Sequence, residues 1–317
     1  MKNGILFADV KNNRMHTRAK GENMSKILRA MTRDGSARAY VINSTDIVNK
    51  GIEYHKTAPT ATALFGRLLT AASVMGTMLP EDGCSLTVAI RGNGIAGTTL
   101  CTADYWGNVK GYIQNPQADA PLKSNGKLDV SGIVGGGILS VSKDTHEELP
   151  FNGNIELVSG EVAKDIAQYY ALSEQTPTLC ALGVLVDTDM SCRASGGVFI
   201  QLLPFADEEV ITQLEKNAPL LNNVSSMFDK GMTNEEILKV ALTGIEYDIF
   251  DELDVSYKCD CERARTERAL VSVGKDEAYK ILDEQKEKGF DYLELSCHFC
   301  DKTYKFDKND IDKLFSK

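Results

Sequence analysis

Four of the eight cysteines in this 317-residue sequence stand close together near its C-terminal end. Cys259 and Cys261 form a C-x-C pair, and Cys297 and Cys300 form a C-x-x-C pair after residues 262–296. Two such chelating pairs complete a closed tetrahedral shell of four thiolates, which is typical of a structural zinc site, whereas a catalytic zinc keeps one position open. The pattern predicts one zinc ion held by these four residues, with an iron–sulfur cluster as the alternative.

The same four thiols are also suited to redox chemistry. Neighbouring thiols can oxidise to disulfides, and a disulfide across a C-x-C pair closes a tight, strained ring that is easily reduced. Oxidation would expel the metal. Structural zinc contributes ~10–16 kcal/mol in small peptide modules, which exceeds the ~5–15 kcal/mol that separates most folded domains from their unfolded chains. Oxidation is therefore predicted to unfold the region around the cysteines.

The remaining candidate side chains are predicted to be structural. Four further cysteines are scattered and have no recognisable His or Asp partners, so we expect buried thiols at Cys84, Cys101, Cys180 and Cys192. His298 lies inside the C-x-x-C loop, but four cysteines already fill the shell, so it is predicted to be a surface residue. The other histidines have no partner at ligand spacing and are expected to be ordinary residues: His16, His55 and His146.

Two glycine-rich segments could be mistaken for phosphate-binding loops. Residues 92–97 match G-x-G-x-x-G, but a dinucleotide site needs a helix to follow, and residues 98–102 are β-prone. The segment is therefore predicted to be a hairpin turn. Residues 135–137 are likewise predicted to form a tight bend or to pack in a strand, and not to bind phosphate.

The elements that position these side chains are of mixed type. Alternating apolar residues predict strands at 37–42 and 85–91, whereas segments 60–78 and 161–172 have the composition of helices. Strands with only occasional helices among them indicate an α+β fold.

The C-terminal quarter is acidic, since residues 231–317 hold 21 Asp/Glu and 14 Lys/Arg. Thr233 and Glu236 form a capping box that opens a helix, with Gly244 as its expected end. Apolar residues then continue at helical spacing across Gly244, which predicts an acidic amphipathic helix over 245–254 that is docked either permanently or conditionally. Their positions are Leu238, Leu242, Ile245, Ile249 and Leu253. Two short helices (262–271 and 276–288) and a hairpin (292–297 with 302–307) are predicted around the cysteines.

Composition excludes several classes of protein. Hydrophobic residues make up 43% and charged residues 25%, as in ordinary soluble proteins, and no stretch approaches the ~20 apolar residues of a membrane span. The net charge of −10 repels phosphate backbones, so nucleic acid and membrane are not expected partners. The basic residues 1–23 lack a signal-peptide core and are expected to be an extension or leader.

A series of ordered motifs extends from residue 24 to the C-terminus. They are Arg29-Ala30, Asp34-Gly35, Arg38, 63–71 (ALFGRLLTA), 107–112 (GNVKGY), Asn115-Pro116, 159–163 (SGEVA), Asp165, 173–178 (SEQTPT), 196–204 (GGVFIQLLP) and the two cysteine pairs. Together these motifs resemble the 33 kDa chaperonin family, the redox-regulated heat-shock holdases. Two positions depart from the family pattern: Lys110 replaces an expected Arg, and Glu262 stands where many members carry Ser.

The resemblance implies a chaperone core (24–228), an amphipathic acidic helical linker (229–257) and a small zinc-binding redox-switch domain (258–317), with residues 1–23 outside the pattern. It implies a cytoplasmic, ATP-independent holdase with no catalytic residues. Its zinc-bound reduced form would be inactive. Its oxidised form would carry the disulfides Cys259–Cys261 and Cys297–Cys300, bind unfolding client proteins and form a homodimer. A zinc-stabilised thiol oxidoreductase is the main alternative, and the acidity speaks against a nucleic-acid-binding zinc ribbon.

Overall fold

The computed structural model of the chain describes residues 25–146 and 150–316, so the expected extension 1–23 and His16 lie outside the described residues. The strands, in chain order, are β1 (Ser25–Thr32), β2 (Ala37–Asn43), β3 (Ser85–Gly92), β4 (Thr98–Asp104), β5 (Val109–Ile113), β6 (Gly137–Asp144), β7 (Phe151–Glu156), β8 (Thr178–Val186), β9 (Cys192–Leu202), β10 (Tyr247–Val255), β11 (Tyr292–Ser296) and β12 (Thr303–Asp307).

The helices are α1 (Thr45–His55), α2 (Pro59–Gly76), α3 (Val130–Val134), α4 (Ala163–Leu172), α5 (Glu208–Asn217), α6 (Val224–Asp229), α7 (Asn234–Ala241), α8 (Arg263–Val273), α9 (Lys275–Glu287) and α10 (Lys308–Leu314). Among the described residues, none of them is both long and apolar enough to cross a membrane. The strands form a first sheet in the order β10-β1-β2-β9-β8, a second sheet in the order β5-β4-β3-β6-β7, and the separate hairpin β11-β12. The α+β prediction is confirmed.

Helix α2 lies between the two five-stranded sheets and contacts strands of both. Its sequence is apolar on all sides, as expected of a helix surrounded by protein, and all its residues except Pro59 and Arg67 are buried. The helix is close enough to the second sheet that a Cβ on Gly76 would lie 2.4 Å from the carbonyl oxygen of Asp104. Glycine is required there because of this backbone contact. The predicted buried helix is thus the centre of the main apolar core.

A second apolar cluster covers the other face of the first sheet. Leu28 and Val41 of the sheet pack there with Phe228 of α6 and with Ile237 and Leu238 of α7. The predicted capping box at the start of α7 is present, with the Thr233 side chain accepting from the backbone N–H of Glu236 and the Glu236 carboxylate accepting from that of Thr233. The first sheet is therefore covered by helices on both faces.

Residues 245–254 do not form the predicted helix. Helix α7 ends at Ala241, Gly244 takes a left-handed φ of 80°, and β10 then runs antiparallel to β1. The helical prediction was wrong because the free edge of β1, which is distant in sequence, offers backbone partners. The register skips Phe250 in a bulge, and a bulge exchanges the faces on which the residues before and after it lie. Tyr247 therefore packs with the outer cluster and Leu253 with the main core.

The glycine-rich segments are turns, as predicted. Residues 93–97 connect β3 to β4 in a hairpin, and no helix follows. Gly137 pairs with Gly92 across β6 and β3. Neither segment has the strand–loop–helix arrangement of a dinucleotide site.

The C-terminal residues 258–316 form a small unit with its own apolar cluster. Helices α8 and α9 confirm the two predicted short helices, and β11 and β12 confirm the hairpin. Helix α10 was not predicted, although Asp307 and Asp310 cap it reciprocally. The buried members of the cluster are Leu270, Ala278, Leu282, Leu293, Tyr304, Phe306 and Ile311.

Candidate metal and redox centre

The structure brings the four predicted ligands together. The Sγ atoms of Cys259, Cys261, Cys297 and Cys300 all lie within 4.8 Å of one another. The distance is 3.7 Å between Cys259 and Cys297 and 3.4 Å between Cys261 and Cys300. A tetrahedral zinc with Zn–S bonds of about 2.3 Å places its sulfur atoms about 3.8 Å apart, whereas a disulfide needs about 2.05 Å. The cluster therefore has the dimensions of a metal shell made of reduced cysteines.

Each pair is positioned by a different local structure. Cys259 and Cys261 lie just beyond β10, in a segment without helix or strand, and Asp260 alone separates them. Cys297 and Cys300 occupy the turn of the β11–β12 hairpin. The backbone N–H of Cys297 donates to the carbonyl oxygen of Lys302 at 2.9 Å, and that of Asp301 donates to Cys297 at 3.1 Å. Asp301 takes a left-handed φ of 55° that closes the turn.

The electrostatics of the cluster favour a bound cation. Burial raises the pKa of the Cys259 thiol, and it raises the pKa of Cys300 to about 11. Burial also acts on Cys261, but hydrogen bonds from the Tyr304 hydroxyl, 3.3 Å from its Sγ, and from the neighbouring thiols lower its pKa below the usual value. Four thiolates this close together need a cation to balance their charge. The all-sulfur donor set fits zinc, and it also fits an iron–sulfur cluster.

Tyr257 connects the centre to the core. Its hydroxyl oxygen lies 2.5 Å from the carbonyl oxygen of Phe299, inside the C-x-x-C turn, and 3.0 Å from that of Gly111 in β5. The same oxygen accepts from the N–H of Gly111 at 3.2 Å. Its ring packs on Tyr54 of α1, with the ring centroids 5.3 Å apart. One side chain therefore contacts β5, α1 and the metal-binding turn.

Two further contacts dock the centre on β5. Lys110 forms an ion pair with Asp260, which lies between the two cysteines of the C-x-C pair. Tyr112 packs edge-on against His298 with their ring centroids 5.5 Å apart. Sequence reasoning missed the docking roles of Tyr257 and Lys110, although the alternation of Tyr257 with Cys259 was a signal that the two share one side of the chain.

The other sulfur and imidazole groups stay outside the metal shell. His298 is exposed, as predicted. His55 is half-buried beside Phe65, and His146 is exposed on a turn. Three scattered cysteines are buried and one is half-buried, and burial raises the pKa of Cys101, Cys180 and Cys192 above the usual value. Burial therefore disfavours the reactive thiolate form of Cys101, Cys180 and Cys192.

The fold and the site define a class of protein: a two-sheet α+β core with a small four-cysteine module docked against it. The family model described as "Hsp33 protein" matches residues 25–307. The 33 kDa chaperonin of Clostridium botulinum (strain 657 / Type Ba4) is 42% identical over 290 residues, which cover 91% of this chain and 96% of the relative. The 33 kDa chaperonin of Clostridium perfringens (strain SM101 / Type A) is 42% identical over 294 residues, with 92% of each chain covered.

The fold also matches a crystal structure of the 33 kDa chaperonin (heat shock protein 33 homologue) of Thermotoga maritima. The TM-score is 0.85 at 29% identity, with 92% of this chain and 98% of that chain covered. This chain belongs to the Hsp33 family, and the resemblance found in the sequence is confirmed. Membership supports a chaperone in preference to an enzyme.

Proposed function

We propose that this protein is an ATP-independent holdase chaperone that is activated when its four-cysteine centre is oxidised. The observation that carries the proposal is the convergence of four Sγ atoms within 4.8 Å, at a position where the surrounding residues dock the C-terminal module on the core. Cys259, Cys261, Cys297 and Cys300 would hold one zinc ion, which supplies the positive charge that keeps four thiolates together. In this reduced form the chaperone would be inactive.

Hydrogen peroxide supplies the oxidant in the proposed activation. Each peroxide would accept two electrons from one pair of thiolates and two protons from the solvent, its O–O bond would break, and two water molecules would form with one disulfide. Two peroxides convert Cys259–Cys261 and Cys297–Cys300 to disulfides, a pairing that is supported by the family resemblance. No thiolate then remains to hold the metal, so zinc leaves without changing its oxidation state.

Loss of the metal would destabilise the C-terminal module that contains the four cysteines. The C-terminal module has a small apolar cluster and many exposed side chains on α8 and α9, so it depends strongly on the metal shell. Its unfolding would remove the Phe299 carbonyl from Tyr257 and free the C-terminal end of β10. We propose residues 24–228, 229–257 and 258–317 as the core, linker and redox-switch domain of this mechanism.

The client surface would be the apolar surface that the linker covers. Ile237, Leu238 and Leu242 in or next to α7 are buried against the outer face of the first sheet. Their release would expose apolar residues on both the sheet and the linker, which can bind unfolding polypeptides. The same exposure favours self-association, consistent with a homodimer in the oxidised form. We propose that the protein acts in the cytoplasm, without nucleic-acid or membrane partners.

The test combines zinc release with a client assay. Peroxide is added to the zinc-loaded, reduced protein at heat-shock temperature, zinc is followed with a chelating dye, and light scattering follows the aggregation of a thermolabile client. We expect zinc release and suppression of aggregation to rise together, in wild type and equally in a Cys180→Ala control. Zinc release without suppression of aggregation would contradict the mechanism. Turnover of a disulfide substrate would favour the oxidoreductase alternative.

A further inference from the structure

Strand β10 is attached to the core by charge as well as by backbone hydrogen bonds. Three basic residues in or just after β1 form ion pairs with acidic residues of β10. The Lys26 Nζ lies 2.6 Å from Glu252, and Arg33 Nε lies 3.1 Å from Asp248. Arg29 binds Asp251 with two nitrogens, at 2.8 Å from Nε and 2.5 Å from Nη2. Basic residues of β1 and of the position just after it thus form ion pairs with carboxylates of β10.

Apolar packing contributes little to this attachment. Of the nine residues in β10 only Val255 is buried, and Phe250 at the bulge is 61% exposed. Partly exposed ion pairs are each worth only about 0.2–1 kcal/mol. The strand therefore lies at an edge of the sheet, and its departure would remove only the contacts of Leu253 and Val255 from the main core.

The edge of β1 that β10 covers combines backbone hydrogen-bonding groups with positive charge. Without this strand, β1 would present an unpaired row of backbone N–H and C=O groups, and such an edge binds extended polypeptides by strand addition. Lys26, Arg29 and Arg33 would flank it with positive charge. An occupant that replaces β10 needs carboxylates at alternate or adjacent positions and apolar residues where Leu253 and Val255 now contact the core.

We propose that the edge of β1 is a client-binding site for extended acidic segments, and that β10 occupies it as an internal mimic of a client. This inference rests on the proposed function, since oxidation is what releases the linker. The site selects clients by two features: a backbone free to form a strand, and acidic residues interspersed with apolar ones.

The test uses labelled peptides and the full chain. One peptide has the sequence of residues 245–256, and in the second its five acidic residues are replaced by Lys. Binding is measured by fluorescence anisotropy with reduced and with peroxide-oxidised protein. We expect the oxidised protein to bind the acidic peptide at least tenfold more tightly than the Lys peptide, and at least tenfold more tightly than the reduced protein does. Added salt should reduce the preference of the oxidised protein for the acidic peptide because the charges on both sides are partly exposed. Equal affinity for both peptides would overturn the proposal.

Arg29→Glu tests the site directly, and Arg193→Glu is its matched control. Arg193 also binds a carboxylate with two nitrogens, at 2.7 and 3.0 Å from Asp229, but it lies on β9 and contacts α6. In the oxidised form, Arg29→Glu should weaken the binding of the acidic peptide at least fivefold, and Arg193→Glu should leave it unchanged. An unchanged preference in Arg29→Glu would overturn the site.

Client aggregation is followed on the same samples, so that the two proposals can fail separately. Suppression of aggregation without peptide binding would overturn the strand-addition site and leave the holdase function intact. Peptide binding without suppression of aggregation would overturn the holdase function and leave the site intact.

Discussion

The core and the C-terminal module of this protein are stabilised by different means. In the core, α2 is buried at almost every position between two sheets, with large side chains such as Phe65, Leu68 and Met75 fully enclosed. In the module, α8 contributes one buried residue, Leu270, and we propose that a metal ion bound by the four clustered sulfur atoms stabilises the chain. We therefore expect a reagent that attacks thiolates to unfold the C-terminal module and to leave the core folded.

Strand β10 and Tyr257 lie between these two regions. Ion pairs hold β10 to β1, and Tyr257 joins β5 to the metal-binding turn. Neither contact relies on a large buried apolar surface. We therefore expect a structural change in the module to reach the linker while α2 and the strands other than β10 keep their packing.

Removal of the metal should have the largest effect and should separate the two regions. A strong chelator, or the substitution Cys297→Ser, removes a contribution of about 10–16 kcal/mol from the module. We expect α8 and α9 to lose their protection from amide hydrogen exchange, while α2 keeps its protection. Cys180→Ala is the control, and it should bind zinc as wild type does. Retained protection of α8 after complete metal removal would contradict the comparison.

Two matched leucine truncations should next show that the regions unfold independently. Leu68 and Leu282 are both fully buried, one in the core and one in the module. Each change to Ala should cost about 2–5 kcal/mol because it leaves a cavity. Trp106, the single tryptophan, reports on the core, and zinc release reports on the module. In urea, Leu68→Ala should shift the Trp106 transition and Leu282→Ala only the zinc transition. If either variant shifts both transitions equally, the two regions unfold as one.

An ion pair beside α2 should give the core a smaller, pH-dependent contribution. Burial raises the pKa of Glu161, but hydrogen bonds with Lys123 and with Arg67, whose Nη1 lies 2.7 Å away, lower it below its usual value. A carboxyl with a lowered folded-state pKa stabilises the fold above its unfolded pKa of about 4.3 and loses that effect as the pH falls through the folded value.

Glu161→Gln should therefore destabilise the core by about 1–2 kcal/mol at pH 7, and the difference from wild type should shrink towards pH 3. Urea unfolding followed by Trp106 fluorescence measures this difference. The control is Glu53→Gln, which removes an exposed pair with Lys50 and should cost less than about 0.5 kcal/mol. If Glu161→Gln lowers the free energy of unfolding by the same amount at pH 7 and at pH 3, Glu161 acts through packing and not through its charge.

The convergence of the four cysteines could be predicted from sequence because its signals are local. A C-x-C pair and a C-x-x-C in a hairpin turn each orient two sulfurs through neighbouring residues alone. The helices around them, and the buried helix α2, also follow from composition over a short window. These elements agree with the structure to within a few residues at each end.

Strand β10 could not be predicted in the same way because its partner is distant in sequence. Residues 245–254 carry apolar side chains at helical spacing. They form a strand because their backbone pairs with the free edge of β1. The bulge at Phe250 also interrupts the alternation of buried and exposed residues that would indicate a strand, because it places Tyr247 and Leu253 on opposite faces. The contact of Tyr257 with Gly111 joins residues that are 146 positions apart, so no local pattern could reveal it.

The smallest expected effect comes from Tyr257→Phe. This variant tests whether the segment that joins the core to the module undocks from β5 without oxidation. The change removes one hydroxyl from between Gly111 and Phe299 and leaves the metal ligands intact. A hydrogen bond of this kind contributes about 1 kcal/mol, so undocking of the segment should become about fivefold more frequent.

In the docked form the N–H of Lys258 donates to the carbonyl oxygen of Val109 at 2.9 Å, so trypsin can cleave after Lys258 only when the segment undocks. The cleavage rate of the reduced, zinc-loaded protein should therefore rise about fivefold in Tyr257→Phe. Tyr292→Phe is the control, since its hydroxyl accepts from Lys305 within the module, and its cleavage rate should equal that of wild type. If Tyr257→Phe is cleaved no faster, the module is held to the core by other contacts, and the ion pair of Lys110 with Asp260 becomes the contact to remove next.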